Sequence, residues 1–305
     1  MNITADTRPS EIEILKPYLN YLMYKCVPVD RPAVEMTYAE MKAEQPTWDV
    51  DSMIRGTEHL CEIAASRQVL YDVYSPEECA ADPEKGEIKL FFLPAAQQPS
   101  EKPFVLLTAG GAFSCVCSLV EAFPTAARLN ELGYNAFVLN YRVGQNPALP
   151  RAEEDVAAAL NYILSHKTDF GVQSDEYVMS GFSAGGAVTV TWGSKNEGWG
   201  KYGLPKPKAL FPIYSGASAE YLQTVDRSYP PCYIVHAKDD PFVPYQNSEN
   251  LKRFLEEHGI PVKLELAESG GHGWGDGSGT PAAGWPDRAA AFENTLHITG
   301  ERGCV

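Results

Sequence analysis

The chain has 305 residues, 44% of them hydrophobic, which is enough for one large core or one core with an appendage. It carries 25 Lys+Arg against 40 Asp+Glu, a formal charge of −15, so phosphate backbones and anionic lipid are repelled; neither nucleic acid nor a membrane surface is an expected partner. No apolar run approaches the roughly 18 residues of a membrane span.

Seven scattered cysteines suit a reducing, cytoplasmic setting better than a disulfide framework. Met1 to Asp6 has neither the basic region nor the apolar run of a secretory leader.

In chain order, residues 1–66 read as helical. Ser10-x-x-Glu13 and Thr37-x-x-Glu40 have the capping-box pattern. Ile12, Leu15, Tyr18, Leu19 and Leu22 recur at helical spacing, and a further helix is expected through Met53, Ile54, Leu60 and Ile63-Ala64. Helices without strands ahead of an α/β alternation suggest a cap or flank on a core domain spanning 67–305, with Tyr18, Tyr21 and Trp48 as candidate wall residues.

From Gln68 the pattern alternates. Strands are expected at Val69–Tyr74, Ile88–Leu93, Phe104–Thr108, Ala136–Tyr141, Tyr177–Met179, Ala209–Tyr214, Cys232–His236 and Val262–Leu266. Helices are expected at Ser118–Leu132, Arg151–His166, Ala184–Ser194, Tyr245–His258 and Asp287–Leu296. Early strands without helices, followed by strand–helix repeats, predict an antiparallel edge leading into a mostly parallel eight-stranded sheet with helices on both faces. In such sheets function gathers at the carboxyl ends of the strands.

One of those ends carries Gly181-Phe182-Ser183-Ala184-Gly185, with an apolar run before it and a small-residue, helix-compatible run after it. A serine at a sharp strand-to-helix turn exposes its Oγ, and the turn needs small residues two before and two after. A hydroxyl is a weak nucleophile and requires a base held by a carboxylate, here in the order Ser, Asp or Glu, His. Four histidines follow Ser183. His258 and His297 sit near helix C-termini, where the dipole alone favours them, and His236 lies at a strand tail. His272, between glycines in Ser269-Gly270-Gly271-His272-Gly273-Trp274, is the candidate base.

The carboxylate is expected in Asp239-Asp240-Pro241-Phe242-Val243-Pro244. Asp240 fits the D-x-x-V-P turn, with Pro244 opening the next helix, and Asp239 is the alternative. Oxyanion donors are expected from the Ala184 N–H and from Gly111 and Ala112 in the loop after the third strand, with a helix starting near Ser114. Phe113, Trp274, Tyr214 and Trp285 are candidates for an apolar acyl site. Cys115-Val116-Cys117 is too tight and too isolated for a zinc site. Hydrolysis needs only water, so no metal and no cofactor are implied.

The segments Phe104 to Gly111, Asn140-Tyr141-Arg142-Val143, Gly181 to Gly186, Asp240 to Pro244 and Gly271-His272-Gly273-Trp274 together resemble the α/β-hydrolase superfamily over residues 68–298. Within it they are most similar to the acetyl-esterase and feruloyl-esterase-like branch, related to the prolyl-oligopeptidase and dienelactone-hydrolase cores. The resemblance implies Ser183 as nucleophile, Asp240 as acid and His272 as base, acting on a small-molecule ester. Ala109-Gly110-Gly111-Ala112 stands where hormone-sensitive-lipase-type esterases carry H-G-G-G, and residues 1–66 fall outside the likeness. A peptidase of the prolyl-oligopeptidase type lacks room here for its β-propeller, and a receptor like that for gibberellin lacks the base that His272 supplies. The sequence leaves the oligomeric state open.

Overall fold

Phe104–Thr108 (β3) has no polar face: all five side chains are buried. The same holds for Ala136–Leu139 (β4), Tyr177–Phe182 (β5), Ala209–Ile213 (β6) and Cys232–Ala237 (β7). Continuous apolar runs of this kind mark strands covered on both faces. Leu70–Asp72 (β1), Lys89–Leu93 (β2) and Val262–Ala267 (β8) complete a single sheet in the order β1-β2-β4-β3-β5-β6-β7-β8. Only β2 runs against its neighbours; every other pairing is parallel. This is the α/β-hydrolase fold. The computed structural model describes residues 2–28, 30–144 and 147–300, and His297 and Cys304 lie outside the described side chains.

The α-helices are Leu19–Leu22 (α1), Tyr38–Glu44 (α2), Val50–Ala64 (α3), Pro76–Ala81 (α4), Ala122–Glu131 (α5) and Ala148–Ser165 (α6). They continue with Lys167–Phe170 (α7), Ser183–Trp192 (α8), Ala219–Leu222 (α9), Gln246–Glu257 (α10) and Trp285–Gly300 (α11). Helix α8, buried along its length from Ala184 to Trp192, is the central helix on which the serine turn rests.

The N-terminal segment is less helical than its pattern predicts. Residues after Ser10 form two 3-10 stretches, Pro9–Glu11 and Glu13–Tyr18, with Pro17 inside the second; α1 adds a single turn. Ser10 caps nothing, because its hydroxyl donates to Glu35 instead. Thr37 does close a capping box with Glu40, and Asp49 caps α3 by accepting from the Ser52 N–H. Gly56 lets α3 lie against α5, since a Cβ there would stand 2.7 Å from the Pro124 nitrogen. Leu15, Leu22, Met41 and Met53 join the same hydrophobic cluster as the sheet, so this segment shares the core.

The helix expected from Ser118 begins four residues later, at Ala122, and none starts near Ser114. Residues 111–121 are held as a loop by tertiary partners: the Val116 N–H donates to the Tyr24 carbonyl and that of Leu119 to the Leu22 carbonyl, both at 2.9 Å. Competing backbone bonds there override local helix propensity.

Candidate active site

Register brings the site together. β3 and β5 pair with Thr108 opposite Gly181, so the loop after β3 and the turn after β5 leave the sheet side by side. Ser183 sits in that turn at φ +50°, the strained left-handed region, and opens α8. The flanking glycines are steric requirements. A Cβ on Gly181 would stand 2.1 Å from the Gly185 carbonyl oxygen, and one on Gly185 would stand 2.0 Å from that of Thr108.

His272 Nε2 lies 2.8 Å from Ser183 Oγ, and its Nδ1 lies 2.7 Å from Asp240 Oδ2. A carboxylate only accepts, so Nδ1 carries the proton and Nε2 faces the hydroxyl as an acceptor. Asp240 is buried, and its other oxygen accepts from the Phe242 and Val243 N–H groups at 2.8 and 2.9 Å. Burial alone pushes this carboxyl up. Hydrogen bonds from His236, His272 and the Val243 backbone outweigh that and hold it well below the usual range.

Asp239 takes a different part: its two oxygens accept the Gly270 and Gly271 N–H groups at 3.2 and 2.8 Å, fastening the loop that carries His272. Pro244 lies ahead of α10, which is entered from Tyr245.

Gly111 (φ +138°), Ala112 (φ +53°) and Phe113 (φ +56°) form a left-handed turn beside the serine. Among the described residues, neither the Gly111 nor the Ala112 N–H is bonded to a protein acceptor. Both line the cavity over Ser183, as does Ala184. Gly110 carries no side chain because a Cβ would meet Ser183 Cβ at 2.7 Å.

The cavity has a volume of about 630 Å³, within the range of small-molecule sites. Phe113 and Trp48 line it, but the other aromatic candidates do not. Tyr214 is wholly buried, with its hydroxyl donating to Glu121 Oε1 and accepting from the Gly275 N–H; its ring backs His272 at 4.9 Å between centroids. Trp274 packs edge-on against Tyr214, and Trp285 is buried with its Nε1 donating to the Gly275 carbonyl. All three are core, placed there by packing. Tyr18 packs on Phe91 and Tyr21 lies near Lys89, neither of them on the cavity.

Several contributors escaped the sequence. Phe242, 72% exposed, and Val27, 56% exposed, stand at the cavity rim as the most exposed large hydrophobics among the described residues. Buried His236 bonds Asp240 through Nε2 at 3.2 Å and Ser248 through Nδ1 at 2.8 Å. Glu121 is buried against the serine loop, accepting from the Gly110 N–H and the Tyr214 hydroxyl; burial pushes its carboxyl up to about 7. Cys26, Cys115 and Cys117 also line the cavity, so the Cys-Val-Cys pair is less isolated than its spacing implied.

Comparison with known proteins agrees with this architecture. Residues 91–200 match the BD-FAE family model. The chain is 24% identical over 226 residues to endo-1,4-beta-xylanase B of Butyrivibrio fibrisolvens, covering 63% of this chain and 35% of that protein. It is 27% identical over 128 residues to esterase LipI of Mycobacterium tuberculosis, covering 41% and 39%. The chain thus spans well under half the length of these relatives.

Among solved structures, an acetyl ester-xyloside bifunctional hydrolase from Caldicellulosiruptor lactoaceticus superposes with a TM-score of 0.63 at 21% identity, over 77% of this chain and 97% of that one. The carboxylesterase Cest-2923 from Lactobacillus plantarum gives 0.54 at 20% identity, over 71% and 92%. The likeness is to the esterase-like branch of the α/β hydrolases.

Proposed function

We propose that this chain is a serine carboxylesterase acting on a small ester. The observation that carries the proposal is the unbroken hydrogen-bond chain from Ser183 Oγ through His272 to Asp240 at 2.8 and 2.7 Å, opening into the cavity. Ser183 Oγ attacks the ester carbonyl while His272 Nε2 takes its proton, and Asp240 steadies the imidazolium. The Ala184 N–H at the start of α8, with those of Gly111 and Ala112, receives the oxyanion. His272 then returns the proton to the departing alcohol, leaving an acyl-enzyme on Ser183, and a water activated by the same imidazole releases the acid.

The substrate class we infer is a short-chain ester of a sugar or plant aromatic alcohol. The names of the acetyl ester-xyloside hydrolase and xylanase relatives favour the sugar, and Trp48, Phe113 and Phe242 offer flat apolar faces for either ring. Residues from Lys25 to Pro28, with Gln45 and Trp48, line one side of the cavity, which supports a cap rather than a flank for the N-terminal segment.

The test is turnover of p-nitrophenyl esters graded by chain length, beside acetylated xylo-oligosaccharides, together with a fluorophosphonate probe. We expect labelling of Ser183, fastest turnover of the shortest acyl chains, and loss of about 10⁴-fold or more in Ser183→Ala. An inert Ser183, or a Ser183→Ala protein retaining a few per cent of activity, refutes the reading.

A further inference from the structure

Three thiols from two distant parts of the chain meet in the cavity wall. Tyr24 forms an isolated antiparallel bridge with Val116, closed by the Val116 N–H donating to the Tyr24 carbonyl. In extended backbone, residues i and i+2 share a face, so Cys115 and Cys117 flank the bridge on one side. Cys26, two residues beyond Tyr24, turns toward them. All three Sγ atoms lie within 4.8 Å of one another, and those of Cys115 and Cys117 are 3.8 Å apart. Two thiolates bound tetrahedrally to one ion at metal–sulfur distances of about 2.3 Å stand about 3.8 Å apart. The backbone is held as well: the Cys115 N–H donates to the Gly111 carbonyl and the Cys117 N–H to that of Gly110.

We propose that Cys26, Cys115 and Cys117 form a three-thiolate site for a soft divalent cation of the zinc and cadmium class, with its fourth position open to the cavity. A ligand set made only of sulfur selects thiophilic ions over Mg²⁺ or Ca²⁺. Occupancy ties the N-terminal segment to the loop bearing Gly111 and Ala112.

The test is anaerobic titration of the reduced full chain with Co²⁺ and Cd²⁺ in a non-thiol reductant. We expect one ion per chain, a sulfur-to-metal charge-transfer band, and intense visible d–d bands for tetrahedral Co²⁺. Cys26→Ser, Cys115→Ser and Cys117→Ser should each lose the stoichiometric band. Cys61→Ser and Cys79→Ser should keep it, and so should Ser183→Ala, which separates this site from the esterase reading. Circular dichroism and a Cys26→Ala variant guard against misfolding. Absence of charge transfer in the wild type overturns the proposal, as does its survival in a folded Cys26 variant.

Discussion

Thr47 Oγ donates to the backbone carbonyl of His272 at 2.5 Å. The contact joins the N-terminal segment to the loop that carries the base, and Thr47 Cγ2 would lie 3.0 Å from a Cβ on Gly271. His272 is thereby fixed from two directions, by Thr47 from the N-terminal side and by Asp239 through the Gly270 and Gly271 N–H groups. Thr47→Val keeps the shape and removes the donor. We expect it to lower kcat several-fold with little change in KM, because a loosened imidazole misaligns the proton transfer rather than substrate contacts. An unchanged kcat in steady-state kinetics would show that Asp239 alone suffices.

The adjacent aspartates make a sharper comparison. Asp240→Asn leaves His272 Nδ1 facing an amide that can impose the wrong tautomer, with an expected loss of about 10⁴-fold in kcat. Asp239→Asn keeps one oxygen for the Gly271 N–H and should cost no more than about tenfold, nearer the effect of a supporting hydrogen bond. Measured side by side on one p-nitrophenyl ester, the reverse ranking would move the acid by one residue.

Glu121 supplies a pH dependence of stability. Its carboxyl, ordinarily near 4.5, is raised to about 7 by burial, against the pull of the Gly110 N–H and the Tyr214 hydroxyl. Between those values the folded protein keeps a proton that the unfolded chain has released. The stabilisation is therefore complete below about 4.5 and is lost as pH rises through about 7, a swing of about 3 kcal/mol at most. Chemical denaturation at pH 5 and pH 8 should show wild type losing stability relative to Glu121→Gln as pH rises. Parallel profiles for the two proteins would remove Glu121 from this role.

Much of this arrangement was legible because its determinants are local. Ser183, Asp240 and His272 each stand in a short turn whose glycines or proline declare it, and β3 through β7 declare themselves as unbroken apolar runs. The misreadings share a cause. Tyr214 and Trp274 come soon after strands in the sequence, as pocket residues do, and Trp285 opens α11, yet long-range packing buries all three in the core. Ser10-x-x-Glu13 has the right letters, but Pro17 and the Ser10–Glu35 bond divert the chain into 3-10 turns. Cys26 joins Cys115 and Cys117 through the Tyr24–Val116 bridge, and no periodicity encodes such a bridge. Glu121 reads as an ordinary charged residue until the fold buries it.

Two aromatics of the cavity wall offer a way to separate binding from chemistry. Trp48 is on the N-terminal wall and Phe242 follows the acid, so side chains from distant parts of the chain line one cavity. Phe242 is largely exposed, and its ring meets that of His272 edge-on at 5.6 Å between centroids. Removing it opens the rim without leaving a cavity in the core. Phe242→Ala should therefore leave stability within about 0.5 kcal/mol of wild type. KM for bulky or ring-bearing esters should rise several-fold, while the rate of Ser183 labelling by a small fluorophosphonate stays within about twofold, since uniform binding is lost and transition-state contacts are not. Trp48→Ala should move KM in the same direction with some loss of stability, because that ring is mostly buried against Gly273. If both variants left KM unchanged across the ester series, the rim would have no part in recognition, and the substrate would have to be held deeper, between Phe113 and the serine turn.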